Sequence, residues 1–143
     1  MSRLNRREFL GTVPVVWAGM SSLSQTAYSA NDKVNVALVG CGGRGKGLGN
    51  WFAKLPDSQL VAVCDPDQSR SGQMADQIEK TGAKRPKQVE DFRTLLDGNE
   101  IDAIVIATPD HWHTPAAIMA CQAGKDVYVE KPCSHNIHEG RQL

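Results

Sequence analysis

The stretch Val34-Asn35-Val36-Ala37-Leu38-Val39-Gly40-Cys41-Gly42-Gly43-Arg44-Gly45 decides the fold. Its first half is a short, valine-rich run. Its second half is a glycine turn. A largely apolar run of this length, closed by glycine, reads as a strand buried on both faces. The turn satisfies G-x-G-x-x-G through Gly40, Gly42 and Gly45. Placed between a strand and a helix, each glycine has a physical task. Gly40 permits the tight turn, Gly42 lets the backbone approach a pyrophosphate, and Gly45 lets helix and strand pack closely. The helix that follows turns its positive N-terminal end toward the phosphates.

Downstream, Asp65 stands 25 residues beyond Gly40, at the end of a second apolar run, Leu60–Cys64. A carboxylate there accepts hydrogen bonds from an adenosine ribose diol. It would also repel a 2′-phosphate, so NAD is expected over NADP, with Arg70 the nearby cation that softens the bias. Strand and helix signals then alternate. The pattern predicts helices over Gly45–Lys54 and Gln68–Lys80, a weak strand at Lys84–Gln88 and a short helix over Val89–Leu96. A clear strand at Ile101–Ala107, a helix at Thr114–Ala123 and a strand at Val127–Val129 follow. Continuous apolar strands separated by helices imply a doubly wound α/β fold with a parallel sheet and right-handed crossovers.

Two rival nucleotide sites share part of this pattern. Gly40 to Gly47 nearly satisfies the P-loop motif G-x-x-x-x-G-K-[ST], with Lys46 in place. Position 47 is glycine, so the hydroxyl that would hold Mg²⁺ is missing. A methyl-donor site built from a glycine turn and an acid after the second strand is the other.

Composition bounds the function class. The chain has 143 residues, enough for one domain of ordinary size and not for two. Sixteen basic and sixteen acidic side chains balance to zero, which argues against a nucleic-acid footprint or an acidic tail. Cys41, Cys64, Cys121 and Cys133 form no C-x-x-C pair, and no disulfide scaffold or zinc ribbon is expected. No apolar run reaches the roughly 18 residues of a membrane span, so no membrane anchor is expected.

Residues 1–30 read as an address. Arg3, Arg6 and Arg7 precede a mildly apolar stretch, Phe9–Met20, and then a small, polar one. Arg6-Arg7-Glu8-Phe9-Leu10 resembles the twin-arginine export motif, with Asn5 and Gly11 departing from it. The small-x-small rule leaves the cleavage point open between Ser29 and Ala30. Export to the periplasm by that route is expected, with residues 31–143 as the mature domain. That domain carries a net charge of −2 once the leader's three Arg and one Glu are gone. The route carries folded proteins, so a cofactor is loadable in the cytoplasm and free thiols are favoured over disulfides.

Two later motifs narrow the reading. The fourth strand runs into Ala107-Thr108-Pro109-Asp110-His111-Trp112-His113, and the fifth into Glu130-Lys131-Pro132. With the glycine loop, these resemble the N-terminal domain of the glucose-fructose oxidoreductase, inositol dehydrogenase and rhizopine catabolism family (Gfo/Idh/MocA). The resemblance covers Lys33 to Leu143. It implies a Rossmann domain followed by a second α/β domain, and NAD(P)-dependent hydride transfer with a sugar or polyol. By position it implies that Gly40, Gly42, Gly43, Arg44 and Gly45 hold the pyrophosphate side and Asp65 the ribose. Thr108, Pro109 and His113, with Glu130, belong to the nicotinamide side. Lys131 would polarise the reacting oxygen and relay its proton.

Other features receive plainer readings. His111, His113, His135, His138, Cys133 and Asp110 suggest metal chemistry, but no metal is expected. His135-x-x-His138 reads instead as the opening of a helix capped by Ser134. Trp112 reads as packing or pocket rim, and Lys131 without its motif as a surface lysine. Ile137–Leu143 looks like the start of a helix that is then cut, and the family's second domain is expected beyond it. Two functions follow as expectations: the cofactor domain of an exported oxidoreductase, homo-oligomeric in a longer form, or a stand-alone nucleotide-binding module without turnover.

Overall fold

The computed structural model describes residues 33–143; the leader predicted at residues 1–30 lies outside the described residues. Five strands, β1 (Val34–Val39), β2 (Ser58–Cys64), β3 (Lys87–Val89), β4 (Ala103–Ile106) and β5 (Asp126–Val129), form one sheet in the order β3-β2-β1-β4-β5. Every pairing is parallel. Helices α1 (Gly43–Phe52), α2 (Gln68–Lys80), α3 (His113–Gln122) and α4 (Ile137–Gln142) complete a Rossmann-type α/β domain.

The valine-rich run forms a strand because both of its faces are covered. Val36 and Leu38 point to one side, where they pack with Leu48 of α1 and Met74, Ala75 and Ile78 of α2. Ala37 and Val39 point to the other, against Ile104, Ile106 and the alanines Ala116, Ala117 and Ala120 of α3. Small residues on α3 let it lie close to the sheet. A bulge after Val36 leaves Val61 of β2 without a partner and shifts the register toward the glycine turn.

The element boundaries differ from expectation where local hydrogen bonding outweighs apolar spacing. Val89 pairs with Cys64 and closes β3, so it cannot open a helix. The segment after it is a 3-10 turn, Phe92–Leu95, begun by Asp91, whose carboxylate accepts the Arg93 N–H at 3.0 Å. Helix α2 spans the predicted residues, with Asp67 as N-cap accepting from the Ser69 N–H at 2.9 Å. Helix α4 is capped by Asn136 and not by Ser134. Asn136 accepts the Glu139 N–H at 2.9 Å and donates its amide to the Glu139 carboxylate at 2.8 Å.

Candidate functional site

The chain leaves β1 toward β2 on one side, and β4 lies on the other, so a crevice opens at the carboxyl ends of β1 and β4. A groove of about 850 Å³ fills that crevice, lined among others by Gly40, Gly42, Asp65, Arg70, Thr108 and Trp112. A smaller pocket of about 190 Å³ adjoins it, formed by Arg44, Ala107, Thr108, His113, Glu130 and Lys131. The residues singled out in sequence therefore converge, although they come from four separate loops.

The glycines of the turn divide into two kinds. Gly40 has φ +93°, and a Cβ there would lie 2.6 Å from the Ala107 carbonyl oxygen. A Cβ on Gly45 would lie 1.9 Å from the Gly40 carbonyl oxygen. The fold itself requires these two. Gly42 and Gly43 differ: among the described residues, a Cβ on Gly42 would meet only the Arg70 guanidinium at 3.6 Å, and one on Gly43 nothing within 4 Å. Their bare faces look onto the groove and its mouth. Gly42 is also the N-cap of α1 and supplies no side chain, so the first N–H groups of that helix lack a side-chain cap.

Asp65 is 7% exposed at the groove floor. One carboxylate oxygen accepts the Cys41 N–H at 2.8 Å and the other the Asp67 N–H at 2.9 Å. It thus ties the glycine turn to the end of β2, a task that the motif spacing did not reveal. The Asp-Pro-Asp tripeptide carried a hint of the Asp67 bond alone, because aspartate commonly bonds the backbone two residues on. Each oxygen keeps a lone pair for a further donor. Cys41 and Cys64 are buried beside it as free thiols, each pushed up to about 12 by burial and then by the Asp65 charge.

Thr108 and Pro109 follow β4. The Thr108 hydroxyl is buried and has no hydrogen-bond partner among the described residues. Thr108 lines both the groove and the smaller pocket. A buried hydroxyl without a partner is costly, and a bound polar group would relieve it.

On the far side, Arg44 of the glycine turn reaches across to Glu130. Its Nε donates to the Glu130 carboxylate at 2.7 Å. Glu130 also accepts from Tyr128 Oη at 3.2 Å and from the Lys131 N–H at 3.2 Å. The hydrogen bond from Arg44 holds the Glu130 carboxyl below the usual carboxylate range against the opposing effect of burial. These two residues, expected to face a cofactor, are each other's partners. Lys131 itself is exposed, and its peptide bond to Pro132 is cis.

His113 is 3% exposed, and both ring nitrogens face backbone carbonyls, Pro132 at 2.6 Å and Thr108 at 2.8 Å. Of the other histidines, His111 lines the large groove. His135 precedes the cap of α4, so it shares no helical face with His138; its Nδ1 is 3.1 Å from the Asp110 carboxylate. That contact raises the His135 pKa and lowers that of Asp110. Among the described residues no three His, Cys, Asp or Glu side chains gather as a metal ion would require.

An uncapped helix terminus, two bare glycines, a buried acceptor and an unpartnered hydroxyl along one groove fit a dinucleotide. The same chain matches known proteins. Residues 34–143 match the family model described as an oxidoreductase family with an NAD-binding Rossmann fold, GFO_IDH_MocA. A glycosyl hydrolase family 109 protein from Shewanella sp. (strain ANA-3) is 36% identical over 133 residues, covering 90% of this chain and 29% of that protein. The structure of GenD2 from gentamicin A biosynthesis, in complex with NAD, is 28% identical with a TM-score of 0.68, covering 78% of this chain and 30% of that one. Myo-inositol dehydrogenase from Lactobacillus casei, in complex with NAD(H) and myo-inositol, shares the fold at 22% identity and a TM-score of 0.71, covering 77% of this chain and 32% of that one. The chain spans between 28% and 37% of the length of the curated relatives it matches.

Proposed function

Because the chain belongs to the Gfo/Idh/MocA oxidoreductase family, with its NAD-binding Rossmann fold, we propose that it is the cofactor-binding part of an exported, NAD-dependent enzyme acting on sugars or polyols. The carrying observation is the pair Gly42 and Gly43, which no contact among the described residues requires to be glycine and which lie at the uncapped start of α1. Backbone N–H groups there donate to a pyrophosphate at the positive end of the helix. Asp65 accepts from the adenosine ribose, and the Thr108 hydroxyl bonds the nicotinamide half. NAD, when bound, supplies a hydride acceptor. Lys131, at the exposed end of the smaller pocket, polarises the substrate oxygen and takes part in moving its proton. Arg6-Arg7-Glu8-Phe9-Leu10 supports export by the twin-arginine route. An Arg6→Lys, Arg7→Lys variant should remain in the cytoplasm with its leader uncleaved; a processed periplasmic product would remove the assignment.

The cofactor is tested by titrating the chain with NADH and NADPH. A 2′-phosphate facing the Asp65 carboxylate should cost about 1–3 kcal/mol, or roughly ten- to a hundredfold in affinity. Asp65→Ser should narrow that gap. Asp65 also holds the Cys41 N–H, so melting temperatures must accompany the titration. Equal affinity in the wild type would remove the ribose role.

The glycosyl hydrolase names of the curated relatives favour a second reading. There the longer enzyme would cleave a glycoside, and because hydrolysis is redox-neutral the cofactor would show no net change. Net accumulation of NADH separates the two readings.

A further inference from the structure

Beyond the end of β5 the chain leaves the sheet. The last ladder bond runs from the Glu130 N–H to the Ile106 carbonyl at 3.0 Å. The segment Lys131-Pro132-Cys133 then has no strand to hold it. Two buried side chains from the first turn of α3 do so instead. His113 Nδ1 lies 2.6 Å from the Pro132 carbonyl oxygen, and Thr114 Oγ1 donates to the Cys133 carbonyl at 3.1 Å. The other nitrogen of the same imidazole lies 2.8 Å from the Thr108 carbonyl oxygen. One ring therefore spans two loops. One loop carries the unpartnered Thr108 hydroxyl, and the other carries Lys131. The pocket of about 190 Å³ lies between them.

We propose that His113 is a positioning residue: its ring fixes the spacing between the Thr108 loop and the Lys131–Pro132 segment, and so shapes the pocket that receives the nicotinamide end of the dinucleotide. The inference rests on the dinucleotide reading and adds to it. His113 contributes to the pocket wall, but it is buried and its two nitrogens face the two loops, so it acts chiefly through its neighbours. Both partners are carbonyl oxygens, which only accept. A ring carrying one N–H donates to one of them and abuts the other, so the two-sided shape of the ring, and not a pair of donors, holds the spacing. The imidazole is also rigid, which sets the distance between the two carbonyls in a way that a flexible amide does not.

A ligand pair isolates this role. ADP-ribose carries the adenosine and pyrophosphate but lacks the nicotinamide. We would measure the affinity of the chain for NADH and for ADP-ribose by calorimetry in wild type, His113→Ala, His113→Gln and Thr114→Val. The expected result is a roughly five- to tenfold loss of NADH affinity in His113→Ala, about the worth of one lost hydrogen bond, with ADP-ribose changed by less than about twofold. His113→Gln, which restores one donor, should recover part of the loss. Thr114→Val removes only the outer tie and should shift NADH affinity in the same direction by less. It also keeps the proposal testable if His113→Ala fails to fold. Equal losses for both ligands would mark a general structural effect and overturn the proposal. So would unchanged NADH affinity in all three variants, or equal wild-type affinities for the two ligands. A wild-type chain that binds neither ligand overturns the dinucleotide reading, and the clamp with it.

Discussion

At the scale of single residues, the glycine turn contains positions that the motif treats alike and the structure separates. Gly45 is glycine because a methyl group there would collide with a backbone carbonyl at 1.9 Å. Backbone cannot move aside cheaply, so Gly45→Ala should cost about 3 kcal/mol or more and lower the melting temperature sharply. A Cβ on Gly43 meets nothing within 4 Å among the described residues, so Gly43→Ala should leave the melting temperature within a few degrees of wild type. The same substitution should still weaken NADH binding, because its methyl group stands where the ligand backbone approach is needed. Thermal melts and NADH titrations of both variants check this. A Gly43→Ala domain that melts early would show a structural demand invisible in the contacts. The spacing of the motif was legible in sequence because turn geometry needs glycine at fixed offsets. The double duty of Asp65 was not, because its link to the Cys41 N–H joins positions 24 apart through space.

Secondary elements were legible where apolar periodicity and capping agree. Helix α2 combines an Asp67 cap, an apolar face of Met74, Ala75 and Ile78, and Gly82 at φ +88° just beyond its end, and its limits matched. The segment after β3 was misread because a three-residue edge strand and a 3-10 turn bury little surface. Their form is set by the Asp91 carboxylate and by pairing with Cys64. The ion pair between the start of α1 and the end of β5 was equally hidden, since charge does not announce its partner 86 residues away. It makes a pH prediction. Arg44 lowers the folded-state pKa of Glu130 below its unfolded value. Its contribution to stability is therefore present above the unfolded pKa, about 4.3, and is lost as pH falls through the folded one. Glu130→Gln should lower the melting temperature near neutral pH, and its deficit relative to wild type should shrink below about pH 4. A deficit that stays constant from pH 7 to pH 3 would mean that the glutamate acts by packing and not by charge.

For the described domain as a whole, the sheet places a cofactor groove and a single exposed lysine side by side at the carboxyl ends of its strands. What a sugar would need in addition is a surface to hold it against the reacting carbon. Positioning of that kind is worth about 7–11 kcal/mol of barrier in well-held pairs. The groove and the smaller pocket are lined chiefly by the strand-end loops that frame the cofactor, and Lys131 lines only the smaller one, of about 190 Å³. Relatives that match this chain are about three times as long, which leaves room for such a surface. The 143-residue chain should therefore bind NADH yet show no turnover over a panel of sugars, polyols and aryl glycosides. A longer form, with a further domain of the length that its relatives carry, should act on one of those classes. There, Lys131→Ala should lower kcat by about 10²–10⁴-fold, the usual worth of a positioned acid or base, while cofactor affinity changes little. Absorbance of reduced cofactor and release of the aryl group, followed together for short and long chains, separate the outcomes. NADH that accumulates with substrate consumption marks a net oxidation; aryl release without accumulation marks glycoside cleavage. Turnover by the short chain would show that the substrate site is already complete in these loops, and an unaltered kcat in Lys131→Ala would take the lysine out of the chemistry.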